Sequence, residues 1–343
     1  MFDVNTTLIL GAGASHGYGY PLGDELIQKI INSAEKEILL DPSYTGQTNL
    51  QVDLKFIQQM AHTLRFYDPV SIDSFLMNYS GNTLFIKAVK MIIAKIILSC
   101  SNEKKFERGA TYDGGLKEMS NWYRYIWNAL VAGVAPKDLA DQRMQPNFNI
   151  ITFNYDSSLE HYLYTRVDSQ SSFLTADQKR DFKVKIANSI HHVYGSLLNF
   201  TGNEAGAKYE IYFPPNYLTA DFLSQCCKNI HLINEREKNY QSLHEIIKKS
   251  EQIVFLGFGF DDTNIGESVL NLKDTINTRV SPSGKLLPVV KYTNFGDSAL
   301  INSKVESFTK PNVPYPHKSS DRVFKSTKRV YQALAEDFSL NTF

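Results

Sequence analysis

Short, almost uniformly apolar runs alternate along this chain with longer runs in which apolar residues recur every three or four positions. Thr7 to Leu10 is such a short run, and it ends abruptly in Gly11, Gly13, Gly17 and Gly19. This predicts a buried strand followed by a turn. Behind Pro21 and Asp24, residues Leu26, Ile27, Ile30, Ile31 and Ala34 fall at helical spacing, so the unit reads strand, glycine loop, helix. From Gln51 to about Val134 the pattern is helical: DLKFIQQMAHTLRF, SIDSFLMNY, LFIKAVKMIIAKIIL and MSNWYRYIWNALVAG. Short apolar runs resume with FNIITF from Phe148, followed by a helix in NYDSSLEHYLY. VKIANSIHHVYGSL predicts one or two strands ending at Gly195, and KYEIYF an edge strand. A helix over about Tyr240 to Ser250 leads into QIVFLGFGF, the strongest strand pattern in the chain. It precedes a helix that Asp262 or Thr263 can cap. KLLPVVKY predicts the last parallel strand and STKRVYQALAEDF a terminal helix.

Strands alternating with helices, each strand nearly all apolar, predict a parallel sheet covered on both faces. The expected fold is α/β, a Rossmann-like doubly wound sheet formed by residues 1–50 and 145–343, with residues 51–144 as an inserted helical lobe. A length of 343 residues suits about two domains or one large α/β domain with an insertion.

Composition narrows the function classes. With 43% hydrophobic and 21% charged residues the chain is globular. Its 36 basic and 36 acidic residues cancel, so no global positive field exists to hold nucleic acid or an anionic membrane. The longest greasy stretch, Met91 to Leu98, contains Lys95 and is far shorter than the roughly 18–20 residues of a membrane span. The N-terminus lacks the basic start and apolar core of a signal peptide, so a cytoplasmic location is expected. Cys100, Cys226 and Cys227 form no CxxC pair, which predicts reduced thiols and no structural zinc.

Sheets of this kind bind ligands beyond the carboxyl ends of their strands, and four motifs fall there: GAGASHGYG, FNYD, HHVYGS and GFGFDD. Gly11 and Gly13 would let backbone approach a pyrophosphate, so a side chain at Gly13 is expected to block the ligand. The third glycine, Gly17, is one residue late for the dinucleotide fingerprint, and a ligand-free tight turn remains open. Asn154 and Asp156 lie two residues apart just after a strand. They could face one pocket, with an amide to position water or a ribose hydroxyl and a carboxylate to accept hydrogen bonds; alternatively Asn154 forms a turn and Asp156 or Ser157 caps the helix. On a continuing strand His192 shares its face with Tyr194, and His191 points the other way. Gly257 and Gly259 would bring backbone near a second part of a nucleotide, or simply form another turn. Neither a nucleophile elbow nor a P-loop is present.

Taken in order, LILGAGAS (8–15), SIDSFL (71–76), ITFNYDSSLE (151–160), HVYGSL (192–197) and IVFLGFGFDDTNI (253–265) resemble the sirtuin-like NAD hydrolase domains of bacterial antiviral defence systems, over roughly residues 6–300. The resemblance implies that Gly11, Ala12, Gly13 and Ser15 form the NAD pyrophosphate loop and that Asn154 and Asp156 surround the nicotinamide ribose and carboxamide. It also places Gly195 and Ser196 on the NAD side of the histidine-strand turn, and Gly257 with Gly259 near the adenosine half. Two departures separate the chain from protein-deacetylating sirtuins: GYGYPLGDEL replaces their Gly-Ile-Pro-Asp-Phe-Arg segment, and their four zinc cysteines are missing. The family histidine that precedes the glycine is Tyr194 here, which leaves His192 as the candidate base and Tyr194 as a holder of a ribose hydroxyl.

The function so implied is cleavage of the nicotinamide N-glycosidic bond, with NAD as substrate and no zinc. An NAD-depleting effector must be restrained, so self-assembly into a homo-oligomer or control by a regulatory or sensor protein encoded nearby is expected. The alternatives are a catalytically inactive nucleotide-binding module and an NAD-dependent deacylase.

Overall fold

The computed structural model describes residues 4–35, 54–69, 71–79, 81–101, 121–135, 138, 147–170, 172–198, 220–231, 240–276, 279–280, 286–310 and 322–340. Six strands form one all-parallel sheet: β1 (Thr6–Leu10), β2 (Phe148–Thr152), β3 (Ile190–His192), β4 (Gln252–Leu256), β5 (Val289–Thr293) and β6 (Val323–Ser326). Their spatial order is 3-2-1-4-5-6, the doubly wound order in which the chain runs outward from β1 on one side and then returns to β4 on the other. The fold is therefore α/β and Rossmann-like, with its switch point between β1 and β4.

Burial follows from that order. Every residue of β1 and β4 is buried, whereas β3 and β6, at the two edges, are partly exposed. A central parallel strand is covered on both faces and needs a continuous apolar run, the pattern seen in TTLIL and QIVFL. The polar residues at the starts of these strands are hydrogen-bonded: the Thr7 hydroxyl meets Ser250 at 2.6 Å, and Gln252 Nε2 donates to the Leu340 carbonyl at 2.8 Å.

Helices cover the sheet. A single turn, α1 (Ala12–His16), leaves β1 directly, and α2 (Gly23–Glu35) follows. Among the described residues between 51 and 144 the regular elements are helical: α3 (Leu54–Tyr67), α4 (Ile72–Met77), α5 (Thr83–Ser99) and α6 (Tyr123–Val131). Of these, α3 and α5 pack onto α2, and all four share one apolar cluster with the sheet, in which Leu64, Phe75, Ile92 and Ile126 join Leu8, Ile9 and Phe255. No helix among the described residues is long and apolar enough to cross a membrane.

Several expectations need correction. The segment from Val184 to Asn188 belongs to α8 (Ala176–Asn188), which follows α7 (Ser158–Asp168). Thr175 and Gln178 close a capping box at its start, and Phe182 and Ile186 bury one face four residues apart. Only Ile190–His192 is extended. The cap before residues 262–265 is Asp261, whose carboxylate accepts the Thr263 N–H at 2.9 Å. Leu286–Leu287 leaves the main sheet to pair antiparallel with Arg279–Val280, so the last run of apolar residues yields a strand only from Val289. The expected terminal helix is one α-turn, Val330–Gln332, continued by a π-turn over Ala333–Asp337. The edge strand expected at KYEIYF lies outside the described residues.

Candidate functional site

All four motifs stand at the carboxyl ends of β1, β2, β3 and β4. The turns after β1 and β4 touch backbone to backbone: Gly11 N–H donates to the Leu256 carbonyl at 3.1 Å, and Gly13 N–H to the Gly257 carbonyl at 3.0 Å. A Cβ on Gly11 would lie 2.5 Å from the Gly257 oxygen, and one on Gly13 2.9 Å from the Gly257 Cα and oxygen. Gly257 has φ +57°, and its Cβ would fall 2.1 Å from the Ala14 nitrogen. The glycines at the switch point are thus required by the chain's approach to itself. This corrects the expected meaning of a side chain at Gly13: it would strike the β4 turn and destabilise the fold, so lost ligand binding in such a variant would not report a phosphate contact.

Gly259 differs. It is exposed and a Cβ there meets nothing within 4 Å. Gly259→Ala should leave the free energy of urea unfolding within the usual ±0.5 kcal/mol or so of a surface change; a larger loss would reveal packing that the open space does not predict. The next residue, Phe260, is held at φ +52°, fully buried against Phe255, Phe258, Tyr292 and Phe308. The aromatic packing sets this strained backbone.

Asn154, two residues beyond β2, braces the strand ends. Its Nδ2 donates to the Gly11 carbonyl at 3.0 Å and to Ser15 Oγ at 2.9 Å. Because a carbonyl can only accept, the nitrogen must face Gly11, and Oδ1 is the atom left to meet a further partner. The Ser15 hydroxyl is also near enough to the Asp156 carboxyl to favour its charged form. Asp156 also accepts from Ser158 Oγ and from the Ser158 N–H at 3.1 Å, so it does serve the start of α7. Burial raises the Asp156 pKa, and the hydrogen bonds from Ser158 and Ser15 only partly oppose that. Ser157 caps nothing with its side chain; its hydroxyl pairs with Ser196 in the turn after β3.

The helical insertion closes this side. Trp122 Nε1 donates to the Ala14 carbonyl at 2.8 Å, and the Tyr123 hydroxyl lies 2.6 Å from Ser158 Oγ. Since the Ser158 proton is engaged by Asp156, Tyr123 is the donor in that pair. Tyr123 stacks on Tyr18 with centroids 4.2 Å apart. Nothing in the sequence signals these contacts; that of Trp122 with Ala14 spans 108 residues and that of Tyr123 with Ser158 spans 35.

His192 and Tyr194 do not act from one strand face. β3 ends at His192, and Gly195 at φ +80° turns the chain against residues 229–231, where a Cβ would lie 1.8 Å from the Asn229 carbonyl oxygen. The alternation rule needs a strand that continues, and this one does not. His192 Nδ1 meets the Asn154 carbonyl at 3.0 Å, and its Nε2 meets Glu160 on α7. The Tyr194 hydroxyl instead donates to Asn264 Oδ1, beyond the β4 turn, while its ring packs edge-on to Phe153 at 5.6 Å. Glu160 and Asn264 were missed. Neither had a local signal: Asp156 precedes α7, so its spacing of four from Glu160 defines no shared helix face.

The structure therefore brings Gly11, Gly13, Ser15, Asn154, Asp156 and Gly257 into one contiguous cluster, with His192 against Asn154. Ala12 is exposed on its rim, Gly195 and Ser196 support the β3 turn from inside, and Tyr194 stands with Asn264. Among the described residues no group of three or more His, Cys, Asp or Glu side chains is placed to hold a metal ion. Burial pushes the Cys226 and Cys227 thiols up to about 12, which leaves them protonated and unreactive at neutral pH. A cavity of about 500 Å³ lies elsewhere, between α6 and residues 334–340, and is lined by none of these residues. In comparisons with known proteins, no family model matches the chain, and no curated protein matches it.

Proposed function

We propose that the protein cleaves the nicotinamide N-glycosidic bond of NAD, acting as an NAD-depleting effector of antiviral defence whose activity is governed by self-association or by a separate regulatory protein. The observation that carries this reading is the convergence at the β1–β4 switch point. Residues from motifs up to 246 positions apart meet there, with Asn154 as their hub. Ligands of doubly wound sheets bind in that crevice.

In this reading Asn154 Oδ1 orients the attacking water or a ribose hydroxyl, while Nδ2 holds the amide against Gly11 and Ser15. Ser15 and Asp156 keep that amide in place. The open backbone at Gly259 and the Tyr194–Asn264 pair, both at the strand ends, would contact the remainder of the dinucleotide. Because nicotinamide leaves from a cationic ring, the protein's task is mainly positioning and electrostatic stabilisation, and a strong base is not demanded.

A second reading, a nucleotide-binding module without catalysis, is favoured by one feature: Asn154 Nδ2, Asp156 and both His192 nitrogens have partners within the protein. Incubating the purified full chain with NAD, alone and with the products of neighbouring genes, and measuring free nicotinamide separates the two. Release of nicotinamide is expected. NAD binding without release would support the second reading, and no binding at all would remove both.

A further inference from the structure

His192 lies between two oxygen acceptors. The main-chain carbonyl of Asn154 faces Nδ1 and can only accept, so Nδ1 carries a proton; the Glu160 carboxyl faces Nε2. Side-chain exposure is 9% for His192 and 11% for Glu160, so water does not compete for either contact. Whichever atom holds the proton between Nε2 and Glu160, no ring nitrogen keeps a lone pair for substrate. This arrangement is incompatible with the base role expected for His192 from the sequence.

The geometry points to Glu160 and His192 as a charge-paired positioning unit: His192 is held as an imidazolium by Glu160 and fixes the main chain of Asn154, and through it the Asn154 amide. The surrounding charges agree. Burial alone would lower the His192 pKa, but the Glu160 charge, its hydrogen bond, the Asn154 carbonyl and the nearby Asp156 together raise it. On the same strand His191 is pushed down, first by burial and then by His192. Since the folded value of His192 lies above the unfolded one near 6.5, the stability this pair contributes is complete below that pH. It is lost as pH rises through the folded value.

Glu160→Gln tests the assignment, because glutamine keeps the shape and can donate its amide to a neutral Nε2 while Nδ1–H stays on Asn154. The first readout is the nitrogen-15 spectrum of the histidine rings in the full chain, followed through a pH titration. His192 in the wild type is expected to keep both ring nitrogens protonated to a pH above the ordinary value near 6.5, and to a higher pH than in Glu160→Gln. A wild-type His192 that loses its second ring proton at or below the ordinary value would overturn the proposal, whether or not the variant folds.

The second readout rests on the NAD-cleavage reading. Glu160→Gln should lower kcat roughly tenfold to a hundredfold, the scale of a small misplacement of a reacting group, with KM changed less than about twofold. Its rate should also become pH-dependent below the ordinary histidine value near 6.5, because burial without the Glu160 charge holds the ring's pKa down. Unchanged kcat with a flat profile in a folded variant would overturn the positioning role. If the wild type cleaves no NAD under any condition, the functional reading falls and the ring spectra still decide the protonation state.

Discussion

Gly257→Ala should be among the most damaging single-methyl changes in the described part of this protein. The added Cβ would sit 2.1 Å from the Ala14 nitrogen and 2.2 Å from the Gly13 carbonyl carbon, both backbone atoms that cannot swing aside, on a residue at φ +57°. Left-handed strain and overpacking each cost about 1–3 kcal/mol, so a loss of about 2–6 kcal/mol is expected by urea unfolding. That is a large share of the stability of an ordinary domain, and the variant should accumulate poorly. Gly259→Ala, two residues along the same motif, is the matched control because nothing stands within 4 Å of its Cβ. Equal stability of the two variants would mean that the β1 and β4 turns do not meet as described.

The second large effect is on activity. Asn154→Ala removes Nδ2 from the Gly11 carbonyl and from Ser15, and with it the Oδ1 proposed above to orient water or a ribose hydroxyl. Losing these hydrogen bonds should cost about 1–3 kcal/mol of stability. On the proposed NAD-cleavage reading, loss of this oriented polar group should lower the rate about a hundredfold or more. The two effects are separable: nicotinamide release is measured per folded molecule, at a temperature where the variant is shown by unfolding to be native. Wild-type release from folded Asn154→Ala would leave Asn154 as a brace between strand ends and remove it from the reaction.

Much of the fold was legible in the chain because central parallel strands and amphipathic helices leave distinct periodicities. TTLIL, FNIIT and QIVFL read as strands since burial on both faces admits only apolar runs. Edge elements were harder to read. At β3 only three residues are extended, and the alternating Phe182, Val184 and Ile186 before it lie in α8, which buries Phe182 and Ile186 but not Val184. Over so few residues a period of two and a period of 3.6 are not distinguishable.

The candidate site divides in the same way. Local sequence determined that glycines end β1 and β4, that Asn154 and Asp156 follow β2, and that His192 and Tyr194 lie near the end of β3, because each is a statement about neighbours along the chain. The reason for those glycines came only from three dimensions: strand order 3-2-1-4-5-6 sets β1 beside β4, so their turns collide unless both lack side chains. The partners of the polar groups were decided there as well. Glu160 reaches His192 across 32 positions, and Trp122 reaches Ala14 across 108. Hydrogen bonds act over about 3 Å and carry no trace of sequence separation, so whether a histidine is a free base or a paired cation is settled by what the fold sets against each of its nitrogens.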